Sequence, residues 1–154
     1  MIRYDTDLGT GWITFAGNRP VRMGLPGTAS PDDPGDPPPA NAVHWRESLE
    51  QYFRGNACLL PRPDLVAGVG RTPLLQAIYE RVSDLRSGET ATYRRIAEDV
   101  GHPRAARAVG AAMARNPLAP LIPCHRVVGS GGALHGYGGG LPMKDRLLRM
   151  EAGW

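Results

Sequence analysis

The chain has 154 residues, 42% of them hydrophobic, which allows one or two compact units with a buried core but not a large multidomain enzyme. Its 20 Gly and 15 Pro require a sizeable share of loop and turn, while 21% charged residues exclude wholesale disorder. The net charge of +3 is divided unevenly: residues 1–70 carry six Arg and eight Asp or Glu (net −2), and residues 71–154 carry twelve basic and seven acidic residues (net +5). Any polyanionic partner is therefore expected on the second half.

The first 24 residues read as short strands. Ile2-Arg3-Tyr4, Trp12 to Phe15 and Val21 to Leu25 alternate loosely, with Gly9-Thr10-Gly11 and Gly17 to Pro20 as turns between them. Gly24 to Ala40 has six prolines and no apolar periodicity, so a loop or disordered segment is expected. Ala42 to Phe53 resumes a helical pattern marked by Val43, Leu49 and Phe53, and Leu59-Leu60 reads as an edge strand.

A second unit begins near Arg71. Thr72-Pro73 is a helix start, and Leu74, Ile78, Val82 and Leu85 follow at spacings of an amphipathic helix. Thr92 caps a short helix to Val100, with Ile96 and Val100 facing inward and Gly101 as its stop. Pro103 opens the next helix, which Asn116-Pro117 ends. Two short helices joined through Gly101-His102 make a helix-turn-helix pattern. The second helix is built of Ala105, Ala106, Ala108, Gly110, Ala111 and Ala112 with Arg104, Arg107 and Arg115 projecting. It fits either a tightly packed core helix or one lying in a nucleic-acid groove. Pro142 opens a last helix with Met143, Leu147, Leu148 and Glu151. The expected fold class is α+β: a domain at 1–70 with a small β-sheet, a helix and a Pro-rich loop at 24–40, then a mostly helical domain at 71–154.

No stretch approaches 18 consecutive apolar residues, so no transmembrane helix is expected. The N-terminus lacks the apolar core of a secretory signal, which points to the cytoplasm. Two cysteines, Cys58 and Cys124, make no disulfide framework. Chemistry concentrates in Leu118 to Val128, where an apolar run meets a proline and then Cys124-His125-Arg126. A thiol beside an imidazole and a guanidinium is a setting that favours thiolate, although a buried bystander cysteine is the commoner case. Cys58, His102 and His135 show no ligand spacing with Cys124, so no metal is expected. The Gly-rich stretch Gly129 to Gly140 lacks the Lys-Ser or Lys-Thr ending of a phosphate loop.

The run Ile122-Pro123-Cys124-His125-Arg126-Val127 resembles the active-site signature of the O6-alkylguanine-DNA alkyltransferases, also called methylated-DNA–protein-cysteine methyltransferases. The resemblance covers about Leu74 to Glu151. It includes Gly88-Glu89-Thr90 with Tyr93, Ala106 to Gly110, Asn116-Pro117, Gly136-Tyr137, Gly139-Gly140-Leu141, Lys144, Leu147-Leu148 and Glu151. It implies that the second domain is winged helix-turn-helix-like, binds duplex DNA through the minor groove, and flips an O6-alkylguanine into a pocket. Cys124 then matches a single-turnover alkyl acceptor that needs no cofactor. O4-alkylthymine is a second candidate substrate.

By the same resemblance, His125 matches a base reaching the thiol through a water, and Glu151 the carboxylate orienting it. Asn116 matches a brace of the active-site turn, and Tyr93 a phenol that protonates the leaving guanine. Lys144 falls where the family has a lysine near the active site. Arg107 matches the side chain filling the vacated stack, carried by a helix whose Ala106, Ala108 and Gly110 meet DNA. Met113, Val127, Tyr137 and Gly138 match the pocket around the base, and Arg126 is counted with the substrate- and DNA-binding residues. The partner implied is double-stranded DNA, bound by a monomer. Leu74 and Tyr79 depart from the family's usual Phe and Trp. His135 departs from a small residue, and it either narrows the pocket or points to solvent. Two other functions compete: a non-catalytic lesion binder like the alkyltransferase-like proteins, and a helix-turn-helix regulator. Each leaves Cys124 without work.

Overall fold

The computed structural model describes residues 1–56 and 63–153. The expected edge strand at Leu59-Leu60, and Cys58, lie outside the described residues. Helix and sheet are mixed, and the chain divides into two compact units: Met1–Pro61 with Pro117–Ala119, and Arg62–Asn116 with Pro120–Trp154. Among the described residues no helix is long and apolar enough to cross a membrane.

The first unit holds an antiparallel sheet, ordered β1 (Ile2–Thr6), β2 (Gly9–Ala16), β3 (Arg19–Gly24), with α1 (Ala42–Phe53) packed on β1. Gly9-Thr10-Gly11 is not the expected turn. The chain reverses at Asp7-Leu8, where the Thr6 hydroxyl donates to Gly9 O (2.8 Å) and accepts from Leu8 N (3.1 Å). The two glycines run inside β2, with Gly11 opposite Tyr4. A Cβ at Gly11 would collide with the Tyr4 ring, so this glycine gives room to a side chain rather than a bend. Tyr4 is fully buried, stacks on Phe53 at 5.8 Å and donates to Gly24 O at 2.8 Å. The second turn is also shorter than expected, because Arg19 and Pro20 already belong to β3.

The α1 boundaries match the periodicity, but the buried stripe is Trp45, Leu49, Tyr52 and Phe53, while Val43 is exposed. The Pro-rich segment forms no regular element, yet hydrogen bonds tie it to the sheet. Gly27 N donates to Thr10 O (3.1 Å), Trp12 Nε1 to Ala29 O (2.9 Å), and Asp36 N to Phe15 O (3.0 Å). The Asp36 carboxylate accepts from Gly17 N at 2.7 Å. The segment is thus a fastened loop.

The second unit contains α2 (Pro73–Ser83), β4 (Ala91–Thr92), α3 (Tyr93–Asp99), α4 (Ala106–Ala114), β5 (Val127–Val128) and α5 (Leu141–Ala152). Both threonine caps form: Thr72 Oγ1 accepts from Leu75 N (3.2 Å) and Thr92 Oγ1 from Arg95 N (3.0 Å). Each is worth about 1 kcal/mol. Helices α2, α3 and α4 pack together around Ile78, Val82, Ile96 and Val109, none more than 1% exposed. Burying one such side chain contributes roughly 1.5–3 kcal/mol.

Three expectations shift. Helix α4 begins at Ala106 rather than Pro103, because 103–105 form a turn closed by Ala105 N on His102 O (2.8 Å). Helix α3 buries Ile96 and Ala97, leaving Val100 half-buried as its C-cap. Helix α5 starts one residue before Pro142. The parallel pairing of β4 with β5, Ala91 with Val127 and Thr92 with Val128, was not anticipated. It places the start of α3 beside the strand that follows Cys124.

Candidate active site

Cys124 opens a 3₁₀ turn, Cys124–Arg126, which leads directly into β5. The thiol is buried, and Asn116, Lys144 and Tyr137 act on it electrostatically. Burial pushes its pKa above the ordinary thiol value. Asn116, the charge of Lys144 and Tyr137 pull the other way. The resting group is therefore a neutral, shielded thiol. Asn116 follows α4 by two residues, and its Nδ2 donates to Ile122 O at 2.7 Å. It therefore braces the chain just before Pro123.

His125 is fully buried, and its Nε2 lies 2.8 Å from Glu151 Oε1 in the last turn of α5. Burial holds the imidazole below its ordinary pKa, Glu151 opposes this, and the charges of Arg126 and Lys144 add to it. A neutral ring donating from Nε2 to the carboxylate carries its basic lone pair on Nδ1, which is also buried.

Arg126 does not stand as a DNA contact. It is 9% exposed, and its guanidinium grips Glu151 through Nε on Oε2 (2.9 Å) and Nη2 on Oε1 (2.7 Å). Nη1 donates to Leu85 O (2.6 Å) and Nη2 to Ser87 Oγ (3.1 Å). Such a bidentate fork is the geometry in which arginine pairs a carboxylate most strongly. The sequence did hold a signal for this, since an arginine enclosed by Ile122, Pro123, Val127 and Val128 can be buried only if paired. Ser87 and the Leu85 carbonyl were missed, and a backbone acceptor leaves no mark in sequence.

Lys144 is 1% exposed, with Nζ donating to Val127 O at 2.7 Å and standing 5.8 Å from the Tyr93 ring centroid. Burial lowers its pKa, and Cys124 opposes this. Tyr93, first residue of α3, is half-buried, and burial, followed by its electrostatic coupling to Cys124, raises its pKa. Its phenol thus stays protonated and able to donate. Gly110 presents bare backbone toward the same ring. Met113 and Val127 are buried, Ala106 and Ala108 half-buried, and Arg107 and Gly138 exposed.

His135 is exposed, and its ring lies 6.0 Å from that of Tyr93, tilted by 56°. It also crosses Gly129, where a Cβ would collide with the imidazole. Among the described residues no group of three or more His, Cys, Asp or Glu could hold a metal ion.

Comparison with known proteins follows the same residues. A family model for the DNA binding domain of 6-O-methylguanine DNA methyltransferase matches residues 73–153. A methylated-DNA–protein-cysteine methyltransferase from Mycolicibacterium paratuberculosis is 38% identical over 156 residues, 98% of this chain and 93% of that protein. One from Methanosarcina barkeri is 46% identical over 114 residues, 72% of this chain and 70% of that protein. The structure of Mycobacterium tuberculosis OGT in complex with DNA aligns with a TM-score of 0.82 at 31% identity, covering 98% of this chain and 91% of that one. Similarity that runs nearly end to end, with a family match spanning the whole segment that builds the Cys124 site, leads to one assignment: the chain belongs to the 6-O-methylguanine DNA methyltransferase family.

Proposed function

We propose that this protein repairs DNA by moving the alkyl group of O6-alkylguanine onto Cys124, once per molecule and irreversibly. The observation that carries the reading is the buried Cys124 thiol on the same short turn as the His125–Glu151 pair. The neutral His125 takes the thiol proton through a water, and Glu151 stabilises the imidazolium that forms. The sulfur then attacks the alkyl carbon. A C–S bond forms, the C–O6 bond breaks, and its electron pair stays on the base. Tyr93 supplies the proton that lets guanine leave neutral. Lys144 favours the thiolate by its charge. The product thioether has no group in the chain to cleave it, so there is no turnover. O4-alkylthymine offers the same leaving oxygen and is a second substrate.

The DNA is read by α3, the turn and α4 as a winged helix-turn-helix-like unit entering the minor groove. Ala106, Ala108 and Gly110 permit close approach, and the exposed Arg107 fills the gap left by the flipped base. Met113, Val127, Tyr137 and Gly138 enclose that base. The domain at 71–154 carries the chemistry, the domain at 1–70 accompanies it, and the protein acts as a monomer in the cytoplasm. Lesion binding without transfer, or regulation alone, gives the thiol no task. Intact-mass analysis after mixing with duplex DNA containing O6-methylguanine tests the proposal. One added methyl on Cys124 and no second turnover are expected. Catalytic turnover, or a methyl on Cys58, refutes it.

A further inference from the structure

Tyr79 has no part in the mechanism above, yet its hydroxyl reaches the element that ends at the active-site turn. It sits in α2, is 2% exposed, and donates to Ala112 O in α4 at 3.0 Å. That carbonyl lies where α4 stops. Were the helix to continue, Asn116 N would bond Ala112 O; it bonds Met113 O instead, at 3.3 Å. Arg115 N is shared between Ala111 O (3.1 Å) and Ala112 O (3.2 Å). The buried Ala112 carbonyl thus receives its shortest hydrogen bond from a side chain of another helix.

The consequence falls on Asn116. It leaves the helix axis at this point, its side chain bonds Ile122 O two residues before Cys124, and it lowers the thiol's pKa. We propose that Tyr79 is a positioning residue for alkyl transfer: its hydroxyl fixes the end of α4 and so aims Asn116 at the turn carrying Cys124. Burial and Cys124 both raise the phenol's pKa while Arg115 lowers it, so Tyr79 and Cys124 are electrostatic neighbours. The proposal rests on the reading of Cys124 as acceptor.

Tyr79→Phe keeps the ring and removes the one oxygen. Two readouts separate this proposal from the one it rests on. In the first, iodoacetamide labels Cys124, followed by peptide mass, across a pH series. This needs no DNA and no assumption about substrate. Because Asn116 lowers the thiol's pKa, loosening it shifts the labelling profile of Tyr79→Phe to higher pH. In the second, transfer from free O6-benzylguanine and from O6-methylguanine in duplex falls by a similar factor, about five- to tenfold, the scale of one buried hydrogen bond. Asn116→Ala shows the larger loss, and Tyr79→Phe/Asn116→Ala loses nothing further. An unchanged labelling profile with only a lowered melting temperature would make Tyr79 a packing residue and overturn the proposal. Losses that multiply in the double variant would also overturn it. Failure of the wild type to accept any alkyl group would refute the reading of function, while the labelling profile would still decide the role of Tyr79.

Discussion

Glu151 carries two burdens, and they separate in one double-variant cycle. Its carboxylate is fully buried, clamped by Arg126 at 2.7 and 2.9 Å and bonded to His125 at 2.8 Å. Glu151→Leu leaves the Arg126 guanidinium buried opposite an apolar side chain. Breaking one side of a buried ion pair costs about 3–5 kcal/mol. Arg126→Met leaves the carboxylate with His125 and costs a similar amount, part of it from the Leu85 carbonyl losing its 2.6 Å donor. The combined variant has no stranded charge, so its loss falls short of the sum by about 3 kcal/mol. Urea unfolding of the wild type, the two single variants and the double variant measures this. Alkyl transfer behaves differently: the double variant regains stability but still lacks the carboxylate that orients His125. Its transfer rate stays depressed by about 10²–10⁴-fold, the scale of a lost general base. Additive stability losses would show that the charges do not depend on one another. Recovery of transfer together with stability would show that Glu151 acts on folding alone.

Three further outcomes are expected. Arg107→Ala slows repair in duplex DNA more than reaction with free O6-benzylguanine, since the flipping cost of a few kcal/mol exists only in the duplex; equal losses would place Arg107 in folding or the pocket. His135→Gly raises the rate with O6-benzylguanine more than with O6-methylguanine in DNA, because it clears an imidazole lying against Tyr93 and over Gly129; an unchanged ratio of the two rates would remove the steric argument. Stability falls as pH drops below about 6.5. Burial holds His125 below that value in the folded chain, so the unfolded chain binds the proton first. The urea midpoint should fall between pH 7.5 and 5.5 in the wild type and fall less in His125→Gln; equal falls would assign the effect to other groups.

Local rules were legible from the sequence wherever the cause is local. Thr72 and Thr92 cap the helices they precede because a hydroxyl three residues from a free N–H needs no tertiary partner. The α1 boundaries follow from periodicity and its flanking residues. The resemblance carried by Pro123-Cys124-His125-Arg126-Val127 singled out the turn where the structure buries a thiol beside the His125–Glu151 pair. Tertiary structure decided what depends on residues far apart in the chain. Gly11 reads as a turn until Tyr4 is seen to need its space. The start of α4 depends on a turn at 103–105 that a proline only hints at. Arg126 reads as a DNA contact until Glu151, 25 residues away, closes on it. Tyr79, 33 residues before the carbonyl it bonds, reads as a core aromatic. In each case the deciding partner is brought near by packing, and packing is a property of the assembled chain rather than of any window along it.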